Sequence, residues 1–157
     1  MAIKKPIYLN DDGLQEEADE NDTLPATPVI RPYFDDPADN STVAAFPVLA
    51  VNTVIFLQQE KYQIQVSAEI TGSSAGQGKQ TGFKFDVGGV EYVADVKDVV
   101  TADAYMLIST SFIFDNTLAV SPGNVNFDFY FGVVAGNFTA KIRRKRIIAI
   151  KAVEGAI

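Results

Sequence analysis

The chain has 157 residues, of which 47% are hydrophobic and 21% charged, with a formal net charge of −7 and no Cys, His or Trp. This length suits one domain preceded by an arm. The missing Cys and His exclude disulfides, Ser-His-Asp and Cys-His catalytic sites, and zinc sites built on thiolates or imidazoles.

The negative charge is concentrated at the N-terminus. Residues 1–40 contain three basic and ten acidic residues, a net of −7, whereas residues 41–157 contain ten of each. Five of the seven prolines also lie before residue 41, and each removes a backbone donor and favours extended geometry. We therefore predict an extended, acidic attachment arm over residues 1–40, with a helical turn at 14–20, and a β-sandwich head over residues 41–157.

Alternation of apolar and polar residues predicts the first strands of the head. The segment KYQIQVSAEI (61–70) alternates throughout, as a half-buried antiparallel strand does. TGSSAGQGKQTG (71–82) reads as a flexible loop. FKFDVGGVEYVADV (83–96) predicts a hairpin that turns at Gly88–Gly89.

The second half of the head continues the same pattern. Strands are predicted in 105–116, 125–134 and 138–153, with a turn at 121–124, and no long segment has helical periodicity. Short strands separated by turns indicate an all-β sandwich or barrel. Segments 105–116 and 125–134 carry apolar residues on both faces, which predicts a subunit interface on one of them.

Enzymatic chemistry has few candidate residues. A carboxylate pair can hydrolyse glycosides, and the available acids are Asp86, Glu91, Asp95, Asp98, Asp103, Asp115 and Asp128. Asp86 and Asp128 alternate with inward-facing Phe residues, so they are predicted to be ordinary acids on the outer surface. Neither a phosphate-binding glycine motif nor EF-hand spacing is present. We therefore expect no enzyme activity, no cofactor and no metal.

The sequence KIRRKR (141–146) is the most basic stretch of the chain. On a strand, Lys141, Arg143 and Lys145 would share one face, and Arg144 and Arg146 the other. Three interpretations are open: nucleic-acid binding, a solvated strand edge, or contact of all five cations with an acidic partner. An acidic chain disfavours nucleic acid, and the third interpretation is favoured. No window reaches the roughly 20 apolar residues of a membrane span, so no membrane partner is expected.

The opening segment resembles the N-terminal segments of tailed-phage virion proteins. Those segments often run Lys-Pro-apolar-apolar-Leu-Asn, then Gly, then Asp-Thr-Leu. The matching residues here are Lys5, Pro6, Ile7, Tyr8, Leu9, Asn10, Gly13, Asp22, Thr23 and Leu24. The residue pattern of the rest of the chain is similar to that of the compact jelly-roll heads of such proteins, of tumour-necrosis-factor or C1q type. Those heads end in a strand like RIIAIKAVE (146–154).

The resemblance implies an antiparallel jelly-roll-like head, commonly trimeric, behind an arm that attaches it to a particle. It favours a non-enzymatic capsid decoration (cement) protein on the virion exterior, with the major capsid protein as its partner. The alternative is a short fibre or tail component whose head binds a receptor or glycan, and loops 71–82 and 115–124 are left open as glycan sites. The arm residues expected to contact the capsid are Ile3, Pro6, Ile7, Tyr8, Leu9, Leu24, Tyr33 and Phe34.

Overall fold

A computed structural model describes residues 33–152 and the backbone of two short strands, Ile7–Leu9 (β1) and Gln15–Glu17 (β2). The chain divides into two compact units, Met1–Ile30 and Arg31–Ile157. In the first unit, β1 and β2 pair antiparallel, with Ile7 opposite Glu17. The helical turn predicted at 14–20 is therefore wrong at β2, because the β-favouring Ile-Tyr-Leu of β1 takes it as a ladder partner.

Within the described residues, the regular secondary structure of the second unit consists of strands alone. They are β3 Tyr33–Asp36, β4 Asn40–Thr42, β5 Val48–Leu57, β6 Lys61–Gly72, β7 Gln80–Val87, β8 Val90–Asp98, β9 Met106–Asp115, β10 Gly123–Ala135 and β11 Ala140–Lys151. The strand β5 is not among those predicted from sequence. In the described part of the chain, no helix long and apolar enough to cross a membrane is found.

The strands form two antiparallel sheets that pack as a sandwich. One sheet has the order β5-β10-β7-β8, and the other has the order β3-β11-β6-β9, with β4 also paired to β11. If β3 and β4 are taken as one interrupted strand, the first strand pairs with the last, and all consecutive strands except the β7–β8 hairpin lie in opposite sheets. This connectivity is that of an eight-stranded jelly roll. The predicted fold class is confirmed.

The core lies between the sheets, where alternating side chains of both sheets meet. Strand β6 buries Ile64, Val66 and the other alternate residues from Tyr62 to Ile70. From the facing sheet, Phe85 and Phe129 contact edge to face, with ring centroids 4.9 Å apart. The inward alternation predicted for the Phe residues of β10 is confirmed, since all three are buried.

The loop between β6 and β7 is shorter than the sequence predicts. Strands β6 and β7 extend further than expected and leave only residues 73–79 as a loop. Thr71 and Thr81 are fully buried in the strand ends, and Thr81 Oγ1 donates to Thr71 O (3.2 Å). At the other end, the predicted hairpin turn is confirmed at Gly88–Gly89, whose positive φ angles (59° and 82°) suit a type I′ turn.

The jelly roll begins at Tyr33, ahead of the boundary predicted at residue 41. The Gly88–Gly89 turn and the loop between β9 and β10 lie at one end of the sandwich. The β6–β7 loop and the β10–β11 turn lie at the opposite end. These two ends and the outer faces of the two sheets are the surfaces of the head available for function.

Candidate functional site

The basic strand β11 changes face at a β-bulge. The pairing register of β11 against β6 shifts between Arg143 and Arg146, and Arg144 has a left-handed φ of 49°. A bulge adds one residue to one strand and reverses which side chains face inward. The prediction that Lys145 shares a face with Lys141 and Arg143 is therefore wrong. Lys145 points inward, in line with Ile147 beyond it.

The Lys145 side chain is completely buried and joins β11 to the first strand of the jelly roll. Its Nζ donates to Ala38 O (2.8 Å) and Asn40 Oδ1 (2.6 Å), and lies 3.1 Å from Asp36 Oδ2. These partners belong to the break between β3 and β4, directly beside the bulge. A buried ammonium needs such complete pairing. Lys145 is therefore a structural anchor that no external partner reaches in this fold.

Each of the five cations already has a carboxylate partner within the head. The pairs are Lys141 Nζ–Asp103 Oδ1 (2.6 Å), Arg143 Nε–Glu69 Oε2 (2.6 Å), Arg144 Nη1–Glu69 Oε1 (3.0 Å), Lys145 Nζ–Asp36 Oδ2 (3.1 Å) and Arg146 Nη2–Asp35 Oδ2 (3.4 Å). Internal pairing of this kind reduces the field that the strand presents to an acidic partner.

Glu69 is the centre of the exposed part of this network. The hydrogen bond from the Arg143 guanidinium holds the pKa of the Glu69 carboxyl below its ordinary value, and the bond from Arg144 acts in the same direction. Arg143 also lies over the ring of Tyr105, with Cζ 3.6 Å from the centroid. Burial raises the pKa of Tyr105. The two arginines are thus held in place by groups on β6 and beside β9.

The arm residues predicted to contact a capsid fall into two groups. Ile7, Tyr8 and Leu9 form strand β1, while Ile3, Pro6 and Leu24 lie outside the described residues. Tyr33 and Phe34 lie on β3 in the head. Tyr33 is 55% exposed, and its hydroxyl donates to Asp35 Oδ2 (2.8 Å). Phe34 packs against the core, with its ring 6.3 Å from that of Phe129.

The outer face of the four-stranded sheet holds a polar cluster that sequence reasoning missed. Asp86 is buried rather than an ordinary surface acid, and its Oδ2 lies 2.9 Å from Lys84 Nζ. Lys84 Nζ also lies over the ring of Tyr130, 4.8 Å from its centroid. The hydrogen bond to Asp86 raises the pKa of Lys84. Asp128, directly across from Asp86, accepts from Asn52 instead. Lys84 and Asp86 share a face because they are two residues apart on β7, whereas Tyr130 and Asp128 are placed beside them only by the cross-strand register, which the sequence does not specify.

Exposed apolar side chains concentrate on edge strands. On β9, Leu107 is 65% exposed and Ile113 40%, as the two-faced pattern of that strand predicts. On β5, at the edge of the other sheet, Phe56 is 55% exposed. Edge strands with exposed apolar side chains are candidates for a subunit interface, since large apolar patches on soluble proteins mark interaction sites.

Two cavities lie at opposite ends of the sandwich. One, of about 340 Å³, opens between the β9–β10 loop and the Gly88 turn, with Phe114 and Asn116 in its wall. The other, of about 480 Å³, lies beside the β6–β7 loop. Within the described residues, no cluster of three or more acidic side chains is arranged to hold a metal ion.

No protein-family model matches the chain, and no curated protein matches it. Solved structures do share its fold. A structure of infectious bursal disease virus, Gx strain, is 12% identical with a TM-score of 0.50, covering 97% of this chain and 38% of that chain. T=1 particles derived from infectious bursal virus match at 10% identity and a TM-score of 0.52, covering 93% of this chain and 36% of that chain.

A mutant VP2 protein of infectious bursal disease virus, in derived T=1 particles, matches at 10% identity and a TM-score of 0.51, covering 97% of this chain and 38% of that chain. The chain thus spans less than two fifths of the length of the viral chains that it matches. At this identity the likeness is one of fold. The head has a β fold of the kind found in a viral particle protein.

Proposed function

We propose that this chain is a non-enzymatic virion structural protein, a trimeric decoration (cement) protein bound to the exterior of an assembled capsid. Two observations together support the proposal. One is a jelly-roll head with the fold of a viral particle protein. The other is an acidic, proline-rich N-terminal segment that resembles phage attachment segments.

The N-terminal segment is the attachment element of this proposal, and the major capsid protein is its partner. The cations of β11 are matched inside the head, which favours the arm over the basic strand as the main contact. Ordering an arm costs about 1–2 kcal/mol per backbone residue. Three arms on one trimer offset that cost, because binding of the first raises the effective concentration of the others. Binding only to the assembled state then stabilises the shell by mass action.

In the proposed trimer, a neighbouring copy covers the apolar edge of the five-stranded sheet. Leu107 and Ile113 are exposed on β9 and would be buried by a second copy. Leu107→Lys should reduce the mass in analytical ultracentrifugation from three chains to one. Val43→Lys, at a loop position that is 75% exposed, is the matched control and should leave three chains. Three chains in both variants would exclude the β9 edge as the interface, and one chain in the unmodified protein would exclude the trimer.

Truncation at the boundary between the two units tests the anchor. A chain lacking residues 1–30 retains β3 and every partner of Lys145, so it should fold with a melting temperature close to that of the full chain. It should fail to co-sediment with shells of its own virus that have been prepared without this protein, whereas the full chain should saturate them.

A second truncation, of residues 1–40, separates attachment from folding. It removes β3 and the Lys145 partners at Asp36, Ala38 and Asn40, so it should melt at a lower temperature. If the chain lacking residues 1–30 still saturates shells, the arm is not the anchor.

A further inference from the structure

The sandwich has four sheet edges, and they differ in how well they are protected. An edge strand carries unpaired backbone groups, which proteins commonly guard with charged side chains, prolines or short, broken strands. Strand β8 carries four charged residues, namely Glu91, Asp95, Lys97 and Asp98. Strands β3 and β4 are short and interrupted, and β9 is the edge assigned to the proposed trimer. The remaining edge, β5, has no such protection over most of its length.

Strand β5 is long, uncharged and open on one side. Its sequence, VLAVNTVIFL (48–57), contains neither a charged residue nor a proline. It pairs with β10 on one side, and its backbone forms no ladder with any other strand among residues 33–152. A bulge interrupts the pairing next to Ala50, but the ladder is regular from Val51 to Leu57. This regular stretch presents an unused row of backbone donors and acceptors.

The side chains on the outer face of the same stretch are apolar and exposed. Val54 is 49% exposed and Phe56 is 55% exposed, whereas Ile55 and Leu57 between and beyond them are buried in the core. Uncharged segments rich in β-branched and aromatic residues are the ones that add to another strand most readily. The β5 edge therefore offers both backbone pairing and apolar contact to an added strand.

The lack of charge favours a second copy of β5 as the added strand. Two identical strands paired around a two-fold axis place each residue opposite itself or a near neighbour, so any charge on the strand faces a like charge. Strand β8 shows the contrast, since its one basic and three acidic residues give it a net charge of −2 (1 − 3). Pairing of β5 with itself brings no like charges together within the two paired strands.

The register of such a pair follows from the ladder geometry. Residues directly opposite in an antiparallel pair must direct their backbone groups the same way, and this direction alternates along a strand. One residue must therefore lie on the two-fold axis. Only a pair centred on Val54 uses the whole regular stretch from Val51 to Leu57. It places Val54 opposite Val54 of the second copy, and Asn52 opposite Phe56 of the second copy.

The neighbouring strand is compatible with this register. On β10, Asn126 lies beside Val54, Asn124 beside Phe56, and Asp128 beside Asn52. The row through Asp128 and Asn52 therefore continues into Phe56 and Asn124 of the second copy, so the two copies of Asp128 lie in different rows. The Asp128 carboxylate also accepts a hydrogen bond from Asn52 Nδ2. The sheets thus join without opposing carboxylates.

The β5 edge lies on the opposite side of the sandwich from the proposed trimer contact. Tyr92 of β8 stacks on Phe112 of β9, with ring centroids 4.6 Å apart, so β8 and β9 are neighbours across the two sheets. Strand β5 is at the other end of the β5-β10-β7-β8 sheet. A head can therefore use both edges at once.

We propose that β5 pairs antiparallel with β5 of a second copy, centred on Val54, and joins two four-stranded sheets into one continuous sheet. This interface goes beyond the proposed function and does not require the trimer. Where the β9 edges also associate, β5 pairing links one trimer to the next, so decorating heads are connected to each other as well as to the shell.

Single-cysteine variants of the full chain test the pairing, because the chain has no cysteine of its own. Opposite residues of an antiparallel pair have Cα atoms about 4.5–5.5 Å apart, within the range of about 4.4–6.8 Å that a disulfide spans. Val54→Cys, with oxidised glutathione as the oxidant, should therefore form covalent two-chain species on a non-reducing denaturing gel. Ala94→Cys, exposed on β8, is the matched control and should form several-fold less.

The register has its own test. Asn52→Cys mixed with Phe56→Cys should form a disulfide between the two variants several-fold more than either variant forms alone. A denaturing gel counts only covalent pairs, and one cysteine per chain limits these to two chains. The result is therefore independent of whether the β9 edge forms a trimer.

A charge on the axis should break the interface without unfolding the head. Val54→Lys places two ammonium groups opposite each other and should weaken the pairing at least tenfold. Sedimentation velocity over a concentration series measures this in the Leu107→Lys background, where single chains should pair to two. Val96→Lys, 45% exposed on β8, is the control and should leave the pairing unchanged. Both lysine variants should melt close to the parent chain.

Three results would each overturn the proposal. They are equal cross-linking of Val54→Cys and Ala94→Cys, no preference for the mixed Asn52 and Phe56 pair, and pairing that survives Val54→Lys. If free chains do not pair but Val54→Lys reduces binding to shells, the added strand belongs to the capsid protein and not to a second copy. A failure of the trimer is distinct, since it appears only as the mass of the chain with β9 unmodified.

Discussion

At the residue scale, the most informative side chain is Lys145. Sequence alternation places it among surface cations, yet the structure buries it fully against Asp36 and Asn40. The signal that identifies it is the break between β3 and β4 opposite the bulge, and both depend on tertiary pairing. The sequence of β11 predicts a docking surface for an acidic partner, but its Lys145 is instead a structural anchor inside the head.

Replacing Lys145 tests that role. Lys145→Met should lower the free energy of unfolding by about 3 kcal/mol, because Asp36 and the acceptors at Ala38 and Asn40 lose their buried partner. Urea denaturation measures this value. Lys141→Met, which removes an exposed pair with Asp103, is the control and should change the midpoint little. Equal effects in the two variants would contradict a buried anchor.

Glu69 should contribute to the acid sensitivity of the head. Its pKa is lowered in the folded state, chiefly by the hydrogen bond from Arg143, so the unfolded chain takes up its proton at higher pH than the folded chain does. The ionised Glu69 carboxyl therefore contributes to the free energy of unfolding above its unfolded-state pKa, and this contribution is lost as the pH falls through its folded-state pKa.

Thermal melts between pH 6 and pH 3 test this linkage. Glu69→Gln and Arg143→Gln should each lose less melting temperature on acidification than the unmodified chain does. An unchanged pH dependence in both variants would show that this pair does not contribute to acid sensitivity.

At the element scale, the sequence predicts most of the strands, but it predicts neither the bulge in β11 nor how the strand ends meet. Period-two alternation identifies β6, β9 and β10, and the Gly-Gly pair identifies the β7–β8 turn. The bulge in β11 is hidden, because an arginine in left-handed geometry carries no sequence signature. The loop cavity is also hidden, since it depends on how the ends of β9 and β10 meet.

The bulge gives a test at this scale. Arg144 adopts a φ of 49°, which glycine accepts freely and a β-branched residue does not. Arg144→Val should therefore be less stable than Arg144→Gly by about 1–2 kcal/mol, measured by urea denaturation. Both variants lose the same ion pair with Glu69, so the comparison isolates backbone strain. A valine variant as stable as the glycine variant would argue against the bulge.

At the scale of the whole molecule, we propose that two regions have separate functions. The N-terminal unit would attach the chain to a shell, and the jelly-roll head would assemble with copies of itself. The net charge supports this division, because residues 1–40 carry all of it while residues 41–157 are neutral overall. The head pairs its cations internally, so the arm is left as the distinct electrostatic feature of the chain.

The most direct test of the central claim is the copy number of this chain in purified virions, measured by quantitative mass spectrometry against the major capsid protein. A decoration protein should be present at a stoichiometry comparable to that of the shell subunits. A handful of copies per particle would contradict shell decoration and would instead indicate a tail or fibre component.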